Sequence, residues 1–174
     1  MASALKNLST YDPSNIPSAE EMVIGIVVAD YHTDITYALY EGCYDTLIKH
    51  GAKAENIHTV QVPGAFELPA GARILGQSVT LDAVICLGCV IKGETTHNEY
   101  INQSVATALM NLSIASAKPA IFGLLTPNTL EQAQDRAGGK HGNKGIEAAI
   151  TAIRMVAMKK GLNKKKGGSI GFGK

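Results

Sequence analysis

No apolar run in this sequence approaches the ~20 residues that a membrane-spanning helix requires. Runs such as Met22 to Ala29 and Ala83 to Leu87 fall far short, so no membrane association is expected. An excess of one charge is missing too. Sixteen basic side chains face 15 acidic ones for a net charge of +1, which provides no broad field for nucleic acid or an acidic membrane surface. Three cysteines are too few, and odd in number, for a disulfide framework. The start Met-Ala-Ser-Ala-Leu-Lys lacks the apolar core of a signal peptide, which points to the cytoplasm. The five histidines and three cysteines show neither HExxH nor paired zinc-ligand spacing, so no metal site is expected.

What is present is an alternating pattern. At 174 residues the chain suits one domain with a real core. Residues 1–20, rich in Ser, Asn and Pro, read as an N-terminal arm whose Leu5, Leu8 and Tyr11 are available for docking. Four short apolar runs follow: Val23 to Ala29, Ile57 to Val62, Ala83 to Leu87 and Ala120 to Leu125. Three are continuous rather than alternating, as in strands covered on both faces. Helical periodicity falls between and after them, over about Asp34 to His50, Glu67 to Leu75, Asn98 to Ala117, Leu130 to Ala137 and Ile146 to Lys160. The second of these is interrupted by Pro69 and Gly71. The order β-α-β-α-β-α-β-α-α predicts an α/β three-layer sandwich with a four-stranded parallel sheet. That body spans residues 21–160, and a Lys/Gly-rich solvated tail fills 161–174.

Ligands of open parallel sheets bind beyond the carboxyl ends of the strands. All four exits carry unusual residues: Asp30-Tyr31-His32, Pro63-Gly64-Ala65-Phe66-Glu67, Gly88 to His97, and Thr126-Pro127-Asn128 shortly after Phe122. Each alone is compatible with ordinary turn chemistry; four together point to a crevice that takes a small polar molecule. At the third exit Gly93-Glu94-Thr95-Thr96 leads into a helix whose free N–H groups suit an anion. His97 at that junction is the leading proton-transfer group, with His32 its competitor. His50 and His58 read as plain polar residues.

Two lookalikes are set aside. Cys86-Leu87-Gly88-Cys89 matches C-x-x-C, but Cys86 falls inside an apolar strand, whereas a redox pair needs an exposed thiolate at a helix start. Gly138 to Gly145 is glycine-rich but follows a helix and lacks the order of a nucleotide-triphosphate loop. With Arg136, Lys140 and Lys144 around it, the segment suits a single phosphate group or is simply a flexible basic loop.

Three segments in order, Val62 to Glu67, Gly88 to His97 and Arg136 to Gly145, resemble lumazine synthases, and the likeness extends from about Val23 to Lys159. The resemblance implies a flavodoxin-like fold and a transferase of riboflavin biosynthesis. Its reaction condenses 5-amino-6-(ribitylamino)uracil with 3,4-dihydroxy-2-butanone 4-phosphate to 6,7-dimethyl-8-ribityllumazine, with no cofactor. It further implies that Tyr31, Ala65, Phe66, Glu67, Cys89, Val90, Ile91 and Phe122 contact the pyrimidine and ribityl groups, Phe122 from a neighbouring subunit. Glu94, Thr95 and Arg136 take the phosphate-bearing substrate, Lys144 is a further polar contact, and His97 donates the proton. Tyr31-His32 departs from the family's usual Phe or Trp followed by Asn; the stacking face survives, with an added hydroxyl. By the same resemblance the chain forms homopentamers in which an N-terminal strand extends a neighbour's sheet. An icosahedral shell of sixty copies and a riboflavin synthase partner are candidates for higher assembly. Two rival readings are a flavodoxin-like binding module and a shell protein that has lost catalysis.

Overall fold

The computed structural model describes residues 9–166, with side chains to 163. Leu5, Leu8 and the tail beyond 166 lie outside the described residues. Four strands, β1 (Ile24–Ala29), β2 (Ile57–Val62), β3 (Ala83–Cys89) and β4 (Ala120–Leu125), form one sheet in the order β2-β1-β3-β4. All its pairings are parallel, so the four carboxyl ends open on one edge. β1 and β3 are buried at every position, which accounts for their unbroken Val/Ile/Leu/Ala character. β2, at an edge, is only half-buried.

Among the described residues five α-helices complete three layers: α1 (Thr33–Lys49), α2 (Leu68–Ser78), α3 (His97–Ser116), α4 (Leu130–Asp135) and α5 (Lys144–Lys166). One core lies between the sheet and α1 with α5, built from Ile24, Ile26, Leu39, Leu47, Ile85, Leu87 and Ile153. The other lies against α2 and α3, built from Val27, Leu68, Leu75, Val84, Val105, Leu109 and Leu124. Successive strand residues supply alternate cores, the consequence of side chains pointing to opposite faces.

Several boundaries differ from expectation. β3 runs two residues further, through Gly88 and Cys89. Gly88 belongs in the strand because Leu124 and Leu68 press on it, leaving no room for a larger residue. α2 continues to Ser78, and Pro69 sits in its first turn, where a missing N–H costs nothing. The Gly138 segment is not a bare loop but a small antiparallel hairpin, β5 (Ala137–Gly139) with β6 (Gly142–Asn143). α5 extends six residues past the expected Lys160, through Gly161 and the lysines that read as tail.

The described part of the arm is pinned to the body. Ser9 Oγ donates to the Asn143 carbonyl, and Tyr11 Oη lies 3.0 Å from His50 Nε2. Buried Asn143 holds the start of α5 against α1: its Nδ2 donates to the Ala38 carbonyl at 2.8 Å, and its Oδ1 accepts from the Gly145 N–H at 2.7 Å. Gly42 and Gly145 make this contact possible, since a Cβ on Gly42 would meet the Asn143 side chain and one on Gly145 the Leu39 carbonyl.

Candidate active site

The strand ends bring part of the expected site together. Tyr31 after β1, Ala65, Phe66 and Glu67 after β2, Val90 after β3, and His97 at the start of α3 line one cleft of about 550 Å³. The aromatic faces are open: Tyr31 is 71% and Phe66 59% exposed. Ala65 is buried at the base, so the cleft pairs an apolar floor with exposed rings and two titratable groups, a lining that suits a flat polar heterocycle.

His97 begins α3, where the first-turn N–H groups lack intrahelical acceptors. Its exposed ring makes no hydrogen bond or ion pair with other described residues, leaving both nitrogens available for proton exchange. Tyr100, Ile101 and Ser104 also line the cleft. Sequence reading missed them, although their spacing from His97 places all four on one face of a helix.

Other expected residues take different places. The Cys89 side chain is buried within β3 at 2% exposure, so only its backbone is offered to a ligand. Ile91 packs against the core on the α1 and α5 side. Glu94 and Thr95 are exposed on the turn before α3. His32, the competing histidine, is exposed, does not line the cleft, and holds a left-handed backbone at φ 60° and ψ 53°.

Phe122, Arg136 and Lys144 line a second cavity of about 1060 Å³, with Thr126, Pro127, Asp135, Lys140 and His141. This cavity shares no lining residue with the first. It is built where β4 ends and the hairpin turns into α5. Arg136 Nη1 donates to the His141 carbonyl at 2.8 Å, Arg136 Nη2 stands 2.7 Å from Glu147 Oε1, and Lys140 Nζ lies 2.9 Å from Asp135 Oδ2. The hairpin thus gathers three cations at one mouth, a suitable seat for a phosphate.

The C-x-x-C reading fails on geometry. Cys86 faces the α2 and α3 core and Cys89 the opposite one. Burial pushes their thiols up, to about 12 for Cys86 and about 11 for Cys89, so neither is a ready thiolate. Among the described residues no group of three or more His, Cys, Asp or Glu side chains is placed to hold a metal ion. No described helix is long and apolar enough to cross a membrane.

The chain is similar to proteins of one family. The family described as 6,7-dimethyl-8-ribityllumazine synthase matches residues 21–160. Relatives bearing that name include one from Parabacteroides distasonis, 53% identical over 156 residues that cover 90% of this chain and 98% of the relative. One from Cytophaga hutchinsonii is 52% identical over 157 residues, covering 90% and 98%. A third, from Porphyromonas gingivalis, is 46% identical over 160 residues, covering 92% and 99%.

Proposed function

The chain belongs to the 6,7-dimethyl-8-ribityllumazine synthase family, transferases of the penultimate step of riboflavin biosynthesis, and from that premise we propose that each of its active sites is assembled from two copies. The Tyr31–His97 cleft of one copy receives the pyrimidine substrate, and the Phe122–Arg136 cavity of a neighbour faces it. The observation that carries this reading is the division of the site residues between two cavities with no common wall.

In this arrangement Tyr31 and Phe66 sandwich the pyrimidine, Glu67 receives ribityl hydroxyls, and the backbone of Cys89 and Val90 takes the ring edge. Phe122 of the neighbour closes the pocket. Its Arg136 and Lys144 meet the phosphate, as do the N–H groups around Glu94 and Thr95 at the α3 terminus. The Glu94 carboxylate points the wrong charge at a phosphate, so its contribution is the backbone N–H.

The reaction joins an amine to a ketone, expels phosphate and closes a ring with loss of water, and every step moves a proton. A positioned His97 supplies roughly 10²- to 10⁴-fold. Holding two substrates in reacting geometry supplies more, since effective molarities reach ~10⁵ M and above. Orientation is the larger contribution, which suits a site made mostly of shaped walls.

Self-association is supported by α3. From Tyr100 to Ser116 it carries no charged residue, yet only Val105 and Leu109 are buried, while Met110 and Ile114 are 61% and 73% exposed. A long uncharged exposed face of this kind suits a contact with another copy. We assign a homopentamer on this ground together with the family resemblance, and the cytoplasm as compartment, in keeping with three free, buried thiols.

Subunit mixing tests the composite site. A Tyr31→Ala/His97→Ala variant and an Arg136→Ala variant are unfolded and refolded together, and formation of the fluorescent lumazine is followed. Random association regenerates about one intact site in four if the halves come from different copies. Activity no higher than the mean of the parents would place both halves in one chain and overturn the reading.

A further inference from the structure

Glu147 does not line the second cavity, yet it touches two of the cations that do. Its Oε1 is 2.7 Å from Arg136 Nη2 and its Oε2 3.5 Å from Lys144 Nζ. The contact with Arg136 is not aligned as a hydrogen bond, and Oε1 is buried without a hydrogen-bond partner. Oε2 accepts a long hydrogen bond from Lys144 Nζ, whereas toward Arg136 charge, rather than a directed bond, dominates what this carboxylate contributes. The third cation, Lys140, is matched in the same way by Asp135 at 2.9 Å.

Resting on the reading that Arg136 takes the phosphate, we propose that Glu147 is a positioning residue of the phosphate subsite: from behind its wall, it acts through Arg136 and Lys144 by offsetting their charge, keeping phosphate affinity low enough for release. The reaction explains the need. Phosphate enters as part of a substrate and leaves as a free product from the same place. A subsite with three unopposed cations would retain the product. Glu147 on Arg136 and Lys144, with Asp135 on Lys140, leaves one net positive charge among these five groups. Because Glu147 is part-buried, its influence is screened less than that of a surface acid.

Inorganic phosphate, titrated as a competitive inhibitor of lumazine formation by the full assembled chain, reads this directly. Glu147→Gln keeps an acceptor near Arg136 and removes the charge. Its inhibition constant for phosphate should fall about five- to tenfold at low salt, the size expected of one unit charge a few ångströms away in a wet site, and the gain should shrink as salt is added. KM for the phosphate-bearing substrate should fall with it, while KM for the pyrimidine stays within about twofold. Glu147→Asp, whose carboxylate is drawn back by one methylene, should shift in the same direction by about two- to threefold, and carries the test if Glu147→Gln does not fold. Loss of a merely structural contact would loosen the pocket and weaken phosphate binding instead.

An unchanged or raised inhibition constant in these variants overturns the proposal. Arg136→Gln separates the two levels of the argument. If it leaves phosphate inhibition at the wild-type value, the phosphate subsite itself is misplaced. If it weakens inhibition while neither Glu147 variant strengthens it, only the role of Glu147 falls.

Discussion

The rings of Tyr31 and His32 meet edge to face, 5.6 Å between centroids and 81° between planes, with His32 in the left-handed backbone region. That backbone turns the chain from β1 into α1 and sets where Tyr31 projects over the cleft. Glycine or asparagine tolerates such a conformation, whereas a β-branched residue resists it. His32→Val should therefore cost about 1–2 kcal/mol in stability and raise KM for the pyrimidine substrate several-fold through displacement of Tyr31. His32→Asn should do neither. Thermal unfolding and steady-state kinetics on the two variants provide the check.

Replacing His97 by Ala should slow turnover by roughly 10²-fold, the low end of what a positioned proton donor supplies, and still leave activity well above background, because orientation by the cleft walls persists. Arg136→Ala should act mainly on capture of the phosphate-bearing substrate, raising its KM at least tenfold, about the value of one charge-assisted contact. Complete inactivity of a well-folded His97→Ala protein would reverse this ranking.

His50 supplies a pH dependence at the arm. Partial burial, and then the Lys49 ammonium, hold its imidazole below the ordinary value of 6.5. A base with a depressed folded value binds its proton more weakly when folded, so its contribution to stability is fully present above pH 6.5 and is lost as pH falls through that value toward the folded one. Urea midpoints should drop between about pH 7.5 and pH 5, and His50→Gln should reduce that drop. An identical pH profile in the variant would remove His50 from the account.

Gly145→Ala should be among the most damaging small changes, at about 3 kcal/mol or more, because the new methyl meets the Leu39 carbonyl rather than a side chain that can yield. Gly76→Ala, in α2 with nothing within 4 Å of the added carbon, should instead gain about 0.5–1 kcal/mol from helix propensity. Thermal midpoints at one protein concentration distinguish the two.

These positions also show how far the sequence could be read. Runs such as Val23 to Ala29 and Ala120 to Leu125 coincide closely with strands because burial on the sheet selects their composition. Gly88 misled, since a glycine that makes room for Leu124 and Leu68 looks the same in sequence as one that begins a turn. Pro69 misled similarly: it interrupts a periodicity without interrupting a helix whose first turn it occupies. The hairpin at Ala137–Gly139 and Gly142–Asn143 has no hydrophobic period to announce it. Within the site, motif order identified the cleft residues Tyr31, Phe66 and His97. It gave no sign that Arg136 opens on another cavity, because spacing along a chain does not encode which face of a folded sheet a segment reaches. Glu147 passed unnoticed on α5 for the same reason: its significance lies in Arg136 and Lys144, not in its own surroundings along the sequence.

The two cores divide the molecule's tolerances as well as its interior. The core under α1 and α5 lies across the sheet from the cleft floor formed by Ala65, Val90 and Ile101, which belongs with the α2 and α3 core. A breeder of hardier variants thus has a sheltered side to work on: repacking around Leu39, Leu47 and Ile153 can raise heat tolerance without reshaping the pyrimidine seat, whereas the same liberties beside Leu68 or Val105 would be felt by the substrate.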